Sequence, residues 1–180
     1  MSLIDEVVKE INTVMGMVNT EELSEAEALI QKDKRIFVLG AGRSGLMAKS
    51  FAMRLMHIGY TVYVIGETIS PSIQSGDVLV SVSGSGKTGS VLEPTEKAKQ
   101  AGVKVIAVTS NAHSPLAEVG DATIVVPGAT KGGDGVQSIQ LLSTLFDQSV
   151  HITLDVLCLM LSQRDHVSNA SAKAEHSNLE

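Results

Sequence analysis

Five short aliphatic runs punctuate the chain: IFVL (36–39), YTVYVI (60–65), DVLVSVS (77–83), VKVIAVT (103–109) and ATIVVP (122–127). None keeps the apolar–polar alternation of a strand with one wet face, so each reads as a strand buried on both faces. Segments of helical period lie between and around them. Residues 3–18 space Leu3, Ile4, Val7, Val8, Ile11, Val14, Met15 and Val18 along one stripe. Further helices are expected over about 21–32, with Asn19 or Thr20 as N-cap, over 46–57 before Gly59, from the 84–90 loop to Gly102, and over about 138–162. Strands separated by helices demand right-handed crossovers, hence a parallel sheet. The expected fold is α/β: a three-layer α/β/α sandwich around a five-stranded parallel sheet. One domain is expected over 1–180, with N-terminal helices at about 2–33, a sheet core at about 35–127, and C-terminal helices and tail at about 138–180.

Composition narrows the function classes. The 20 acidic residues outnumber the 14 basic ones, for a net charge of −6, and a nucleic-acid binder needs the opposite balance. Aromatic residues are 3% with no Trp, so stacking platforms for single strands are scarce and the core must be aliphatic. The lone cysteine, Cys158, excludes an internal disulfide and a thiolate metal cluster, as in a reducing cytoplasm. The N-terminal MSLIDEVVKE lacks the basic-then-apolar pattern of a signal peptide. The most apolar stretch, 141–161, carries Asp147, His151 and Asp155, so a buried helix is expected there and not a membrane span.

In open parallel sheets ligands sit beyond the carboxyl ends of the strands. Two Gly/Ser-rich turns fall there. Ser83-Gly84-Ser85-Gly86-Lys87-Thr88 follows a strand and opens a helix. Its glycines let backbone approach a ligand, the helix start offers free N–H groups, and its three hydroxyls can donate. That chemistry suits a phosphate monoester. It is not a P-loop, because position 81 is Ser, nor a nucleophile elbow, because no serine has glycine two places away on both sides. The other turn, Gly40-Ala41-Gly42-Arg43-Ser44-Gly45, matches G-x-G-x-x-G, and Glu67 lies at the end of the next strand, where a ribose-binding acid would sit. A dinucleotide therefore competes with a small phosphorylated ligand held between both loops, with Ser44 donating and Arg43 balancing charge.

GAGRSGLMAKSFAMRLMHIGY (40–60), VIGETISP (64–71), SGSGKTGS (83–90), TLFDQ (144–148) and HSNLE (176–180) together resemble the sugar isomerase (SIS) domain, and within it the 6-phospho-3-hexuloisomerase family. The resemblance spans nearly the whole chain. It implies a flavodoxin-like fold, interconversion of D-arabino-hex-3-ulose 6-phosphate and fructose 6-phosphate without metal or organic cofactor, and a homo-oligomer, expected to be a tetramer. A small sugar phosphate is then the partner, with no nucleic acid or membrane. Ser44 and residues 83–88 would bind substrate. The family's proton acceptor, a carboxylate in an L-F-E segment, falls on Asp147, one methylene shorter. Position 87, often Glu in relatives, is Lys87. Moving a carbonyl from C3 to C2 needs one base on one face of a cis-enediol, and the apolar neighbours Leu141, Leu142, Leu145 and Phe146 would desolvate Asp147 toward a neutral-range pKa. His57, His176, Arg43 and Lys87 are candidates to stabilise the oxyanion.

Asp147, His151 and Asp155 fall on one helical stripe, for which a solvated or subunit-facing edge is expected before a metal site. Met47, Met53 and Met56 read as core. Two other readings stay open: a phosphosugar aldose–ketose isomerase and a non-catalytic phosphosugar sensor.

Overall fold

The computed structural model describes residues 1–130 and 135–179, and in it the five aliphatic runs form one sheet. β1 (Arg35–Gly40), β2 (Thr61–Val64), β3 (Val78–Val82), β4 (Lys104–Thr109) and β5 (Ala122–Val125) lie in the order β2-β1-β3-β4-β5, every pairing parallel. The inner strands β1, β3 and β4 are buried almost throughout, as their unbroken apolar runs require. The edge strands β2 and β5 are partly wet.

Helices cover both faces. α1 (Leu3–Met15), α2 (Thr20–Leu29), α3 (Gly42–His57) and α6 (Thr144–Arg164) pack over Ile36, Val38, Val80, Ile106 and Ile124. α4 (Gly89–Gln100) lies on the other face against Phe37, Leu39 and Leu79, with α5 (Pro115–Val119) beside it. α7 (Asn169–Ala174) returns along α3. α6 is, among the described residues, the one helix long and apolar enough to cross a membrane, and it runs through the core. Leu145, Phe146, Val150, Leu154, Leu157 and Leu161 on it are all inaccessible or nearly so. Each such side chain contributes about 1.5–3 kcal/mol by leaving water.

The departures from expectation are local. The helix expected from residue 138 starts at Thr144: Leu142 takes a left-handed φ of 54°, and Glu10 of α1 accepts from Ser138 Oγ, Ile139 N and Gln140 Nε2, holding that segment out of helix. The helix expected from residue 46 starts at Gly42, so Arg43, Ser44 and Gly45 belong to its first turn. α5 escaped the apolar-period reading because it is five residues long, although Ser114 caps it and Pro115 opens it. The β2-to-β3 crossover carries no helix; Ile73 in that connection packs against the second core instead. Met53 and Met56 are 47% and 37% exposed, and only Met47 packs on the core. The sequence GATKGGDG (128–135) reads as a further Gly-rich loop leading into α6, and it lies partly outside the described residues.

In this strand order the chain leaves β1 toward β2 and leaves β3 toward β4. The two connections diverge, and a crevice opens between the carboxyl ends of β1 and β3.

Candidate active site

The crevice is a pocket of about 520 Å³. Its walls come from three helix starts: Ala41, Gly42, Arg43 and Ser44 at α3, Ser85 and Thr88 at α4, and Ser143 and Thr144 at α6. Val82, Ser83, Gly84, Thr130, Leu141 and Leu142 complete it.

These three helices share a property the others lack. The N-caps of α1, α2, α5 and α7 (Ser2, Asn19, Ser114 and Ser168) each accept a backbone N–H through the side chain. The N-caps of α3, α4 and α6 (Ala41, Thr88 and Ser143) make no such bond. Neither α3 nor α4 has an acidic residue in its first turn. Free N–H groups from three helix starts are therefore aimed at one pocket, and α3 and α4 each add about half a positive charge, which suits an anion, while α6 carries Asp147 in its first turn.

The 83–88 loop is held from beneath. Gly84 O accepts from Thr109 Oγ1 (3.1 Å), Ser110 Oγ (2.7 Å) and Ser110 N (3.0 Å), and Gly86 O accepts from Leu116 N (3.1 Å). Gly86 has φ +66°, and an added Cβ would lie 2.2 Å from Ser114 Oγ, so no other residue fits. Ser83 Oγ pairs with Thr88 Oγ1 at 2.9 Å and accepts from Gly86 N, while Ser85 Oγ accepts from Lys87 N. The Ser83 and Thr88 hydroxyls thus pair with each other, while that of Ser85 is held by backbone alone. Gly86 faces Ser114 and does not line the pocket, and the exposed Lys87 does not line it either.

Across the pocket, α3 presses on the end of β1. An added Cβ on Gly45 would lie 2.7 Å from Gly40 O, which explains two glycines of G-x-G-x-x-G by close packing. Glu67, the would-be ribose ligand, is exposed, pairs with Lys49 at 2.8 Å and is not in the pocket wall.

Asp147 is 1% exposed, in the first turn of α6, among Leu145, Phe146 and Val150. Ser44 Oγ donates to its Oδ1 at 2.7 Å and Ser143 Oγ to its Oδ2 at 3.0 Å. Arg43 Nε stands 3.9 Å from Oδ2, while its Nη1 donates to Thr144 Oγ1 at 3.0 Å. The carboxylate lies behind the Ser44 and Ser143 wall, outside the pocket lining. Asp147 is buried at the head of the stripe it shares with His151 and Asp155, while those two form the solvated edge expected of it, 3.6 Å apart. Among the described residues no three His, Cys, Asp or Glu side chains are grouped to hold a metal ion.

His57 and His176 stand elsewhere. His57 ends α3 and Ser44 begins it, about 20 Å apart along the axis. His57 is buried, its ring stacked on that of His176 with centroids 5.1 Å apart. Its Nδ1 meets Arg54 Nη1 at 3.3 Å, and its Nε2 has no partner. Burial first, then the neighbouring Arg54 and His176, hold its pKa below the ordinary 6.5. Neither imidazole joins the pocket of its own chain.

Thr130 and Ser143 line or support the site without having been singled out in the sequence. Ser143 carried a usable signal, four residues before Asp147 at the start of a helix; Thr130 carried none.

The SIS domain profile matches residues 29–152. The chain is 38% identical to the 3-hexulose-6-phosphate isomerase of Mycobacterium gastri, over 95% of this chain and 86% of that one. It is 35% identical to the enzyme of the same name from Bacillus subtilis, over 97% and 96%. A solved structure from Methanococcus jannaschii, from which a 3-hexulose-6-phosphate isomerase function was inferred, superposes with a TM-score of 0.85 at 31% identity, covering 98% of both chains. With its switch-point pocket, glycine-pressed first turn and hydroxyl loop, the chain belongs to the SIS domain family, alongside proteins named 3-hexulose-6-phosphate isomerase.

Proposed function

We propose that the pocket binds a hexulose 6-phosphate and that the chain interconverts D-arabino-hex-3-ulose 6-phosphate and D-fructose 6-phosphate through a cis-enediol. One observation carries the reading: three helix starts without side-chain caps converge on a single pocket, and a buried carboxylate stands directly behind its serine wall. The phosphate sits on the 83–88 loop and the α4 start, where Ser83, Ser85, Thr88 and backbone N–H groups exchange their mutual bonds for bonds to the anion. Arg43 balances charge at the rim.

Asp147 is the proton carrier. The Ser44 hydroxyl turns from Asp147 to the ligand, and the freed carboxylate oxygen takes the proton from C2 of the 3-ketose. The C2–H electrons form the C2–C3 double bond, and the C3 carbonyl oxygen becomes the enediolate oxygen. The O2 proton then passes to O3, the carbonyl forms at C2, and the carboxyl returns its proton to C3. One base on one face serves both transfers.

A histidine from a second copy supplies the remaining polarity at the oxyanion. The separation of His57 from Ser44 along α3, the orphaned His57 Nε2, and the exposed apolar residues Met53 and Met56 on α3 and Ile152, Val156 and Leu159 on α6 all support a copy-to-copy contact that brings His57 and His176 to a neighbouring pocket. Glu67 and Lys87, both outside the pocket wall, are given no part in binding. We read the whole chain as one SIS domain, cytoplasmic and tetrameric, acting on a free sugar phosphate.

The test is a coupled assay for fructose 6-phosphate formed from the hexulose 6-phosphate. Turnover supports the proposal. Turnover of an aldose phosphate alone, or phosphosugar binding without turnover, overturns it.

A further inference from the structure

Among the described residues, three buried side-chain groups have no hydrogen-bond partner: His57 Nε2, Ser149 Oγ and Thr130 Oγ1. Of these residues only Thr130 lines the pocket. It is 6% exposed, so its hydroxyl is cut off from bulk water, and leaving a buried hydroxyl unmatched costs free energy.

Its position tells which part of the ligand it meets. A Cβ built on Gly84 would lie 3.2 Å from both Thr130 Cγ2 and Phe146 Cδ1, so Thr130 stands against the loop on the α6 side. α6 packs on one face of the sheet, while α4, whose start offers the phosphate site, packs on the other. A phosphosugar anchored at α4 extends its carbon chain across the sheet edge toward Thr130 and the wall in front of Asp147. A threonine hydroxyl both donates and accepts, as a sugar hydroxyl does, whereas a phosphate dianion wants donors alone.

We propose that Thr130 is a specificity-determining contact whose hydroxyl exchanges a hydrogen bond with a hydroxyl of the bound sugar chain. This rests on the phosphosugar reading of the pocket.

The experiment compares wild type, Thr130→Val and Thr130→Ser. Thr130→Val keeps the shape and removes the hydroxyl. It raises KM for the hexulose 6-phosphate about two- to twelvefold, the effect of one lost neutral hydrogen bond. Thr130→Ser restores KM. Inhibition by inorganic phosphate is unchanged in both. The Tm of ligand-free Thr130→Val stays level or rises, because no bond among the described residues is lost; a merely structural threonine would lower it. An unchanged KM, equal weakening of inorganic phosphate, or a KM that Thr130→Ser does not restore overturns the assignment. If the wild type fails to turn over the hexulose phosphate, the functional reading fails separately. The melting shift produced by fructose 6-phosphate, compared between wild type and Thr130→Val, then still decides the contact.

Discussion

Replacing Asp147 by Asn separates chemistry from architecture more cleanly than any other change. The carboxylate accepts from Ser44 at 2.7 Å and from Ser143 at 3.0 Å, both charge-assisted. An amide of the same shape offers one acceptor and one donor, so one serine must reverse its hydroxyl. Two bonds of charged strength fall to neutral strength, at a combined cost of about 2–3 kcal/mol. A chain of this size then loses about 4–12 °C in Tm and stays folded. The loss of a general base is larger, about 10²- to 10⁴-fold in kcat, or about 2.7–5.4 kcal/mol. KM should move only a few fold. The assay is fructose 6-phosphate formation with a melt of each variant, and Ser44→Ala is the comparison. If Asp147 merely orients Ser44, Ser44→Ala must reproduce the whole loss. If Asp147 carries the proton, the Asn variant is slower than the Ala variant by tenfold or more. A kcat within threefold of wild type, or equal losses in the two variants, refutes Asp147 as the base.

Ser83→Ala with Thr88→Ala should raise KM at least about tenfold for each lost bond to the anion, since bonds to charged groups are worth about 1.5–3 kcal/mol, and unchanged inhibition by inorganic phosphate would remove the loop from the phosphate site. His57 sets a pH limit on stability: its folded pKa lies below the ordinary 6.5, so the stability due to the neutral ring is complete above about pH 6.5 and is lost as pH falls through the lower folded value. Thermal melts between pH 8 and pH 5 should therefore fall more steeply for wild type than for His57→Gln, and parallel curves would contradict the assignment. Tyr60→Phe removes a hydroxyl that donates to Asp165 and accepts from Arg164 Nη2, tying the entry of β2 to the end of α6. It should cost about 1–3 kcal/mol in denaturant melts without changing KM.

Much of the fold was legible because burial on both faces leaves its mark in the strands themselves. VLVSV and KVIAVT are apolar without alternation, and only the middle of a covered parallel sheet uses such runs. Where residues answered to partners distant in sequence, local reading failed. The pattern of residues 138–140 continues that of α6 and predicts helix, yet Glu10, more than a hundred residues away, claims their hydrogen bonds. Met53 and Met56 share the period of their buried neighbours and still face outward, because periodicity marks a stripe and not what lies against it.

The site divides the same way. Glycines that permit close approach and hydroxyls that follow a strand are local properties, so the 83–88 loop and the first turn could be read directly, and Asp147 could be read through the resemblance of its segment. Which of those groups meet is a matter of strand order. Placing β1 beside β3 puts Ser44, Asp147 and the 83–88 loop at one crevice, leaves Glu67 outside it, and sends His57 to the far end of the helix that Ser44 begins. The chain encoded the chemical groups residue by residue. Their assembly, the orphaned hydroxyl of Thr130 included, was decided by the packing of three helix starts across one sheet edge, because contact between residues a hundred positions apart depends on the whole fold and on no local segment.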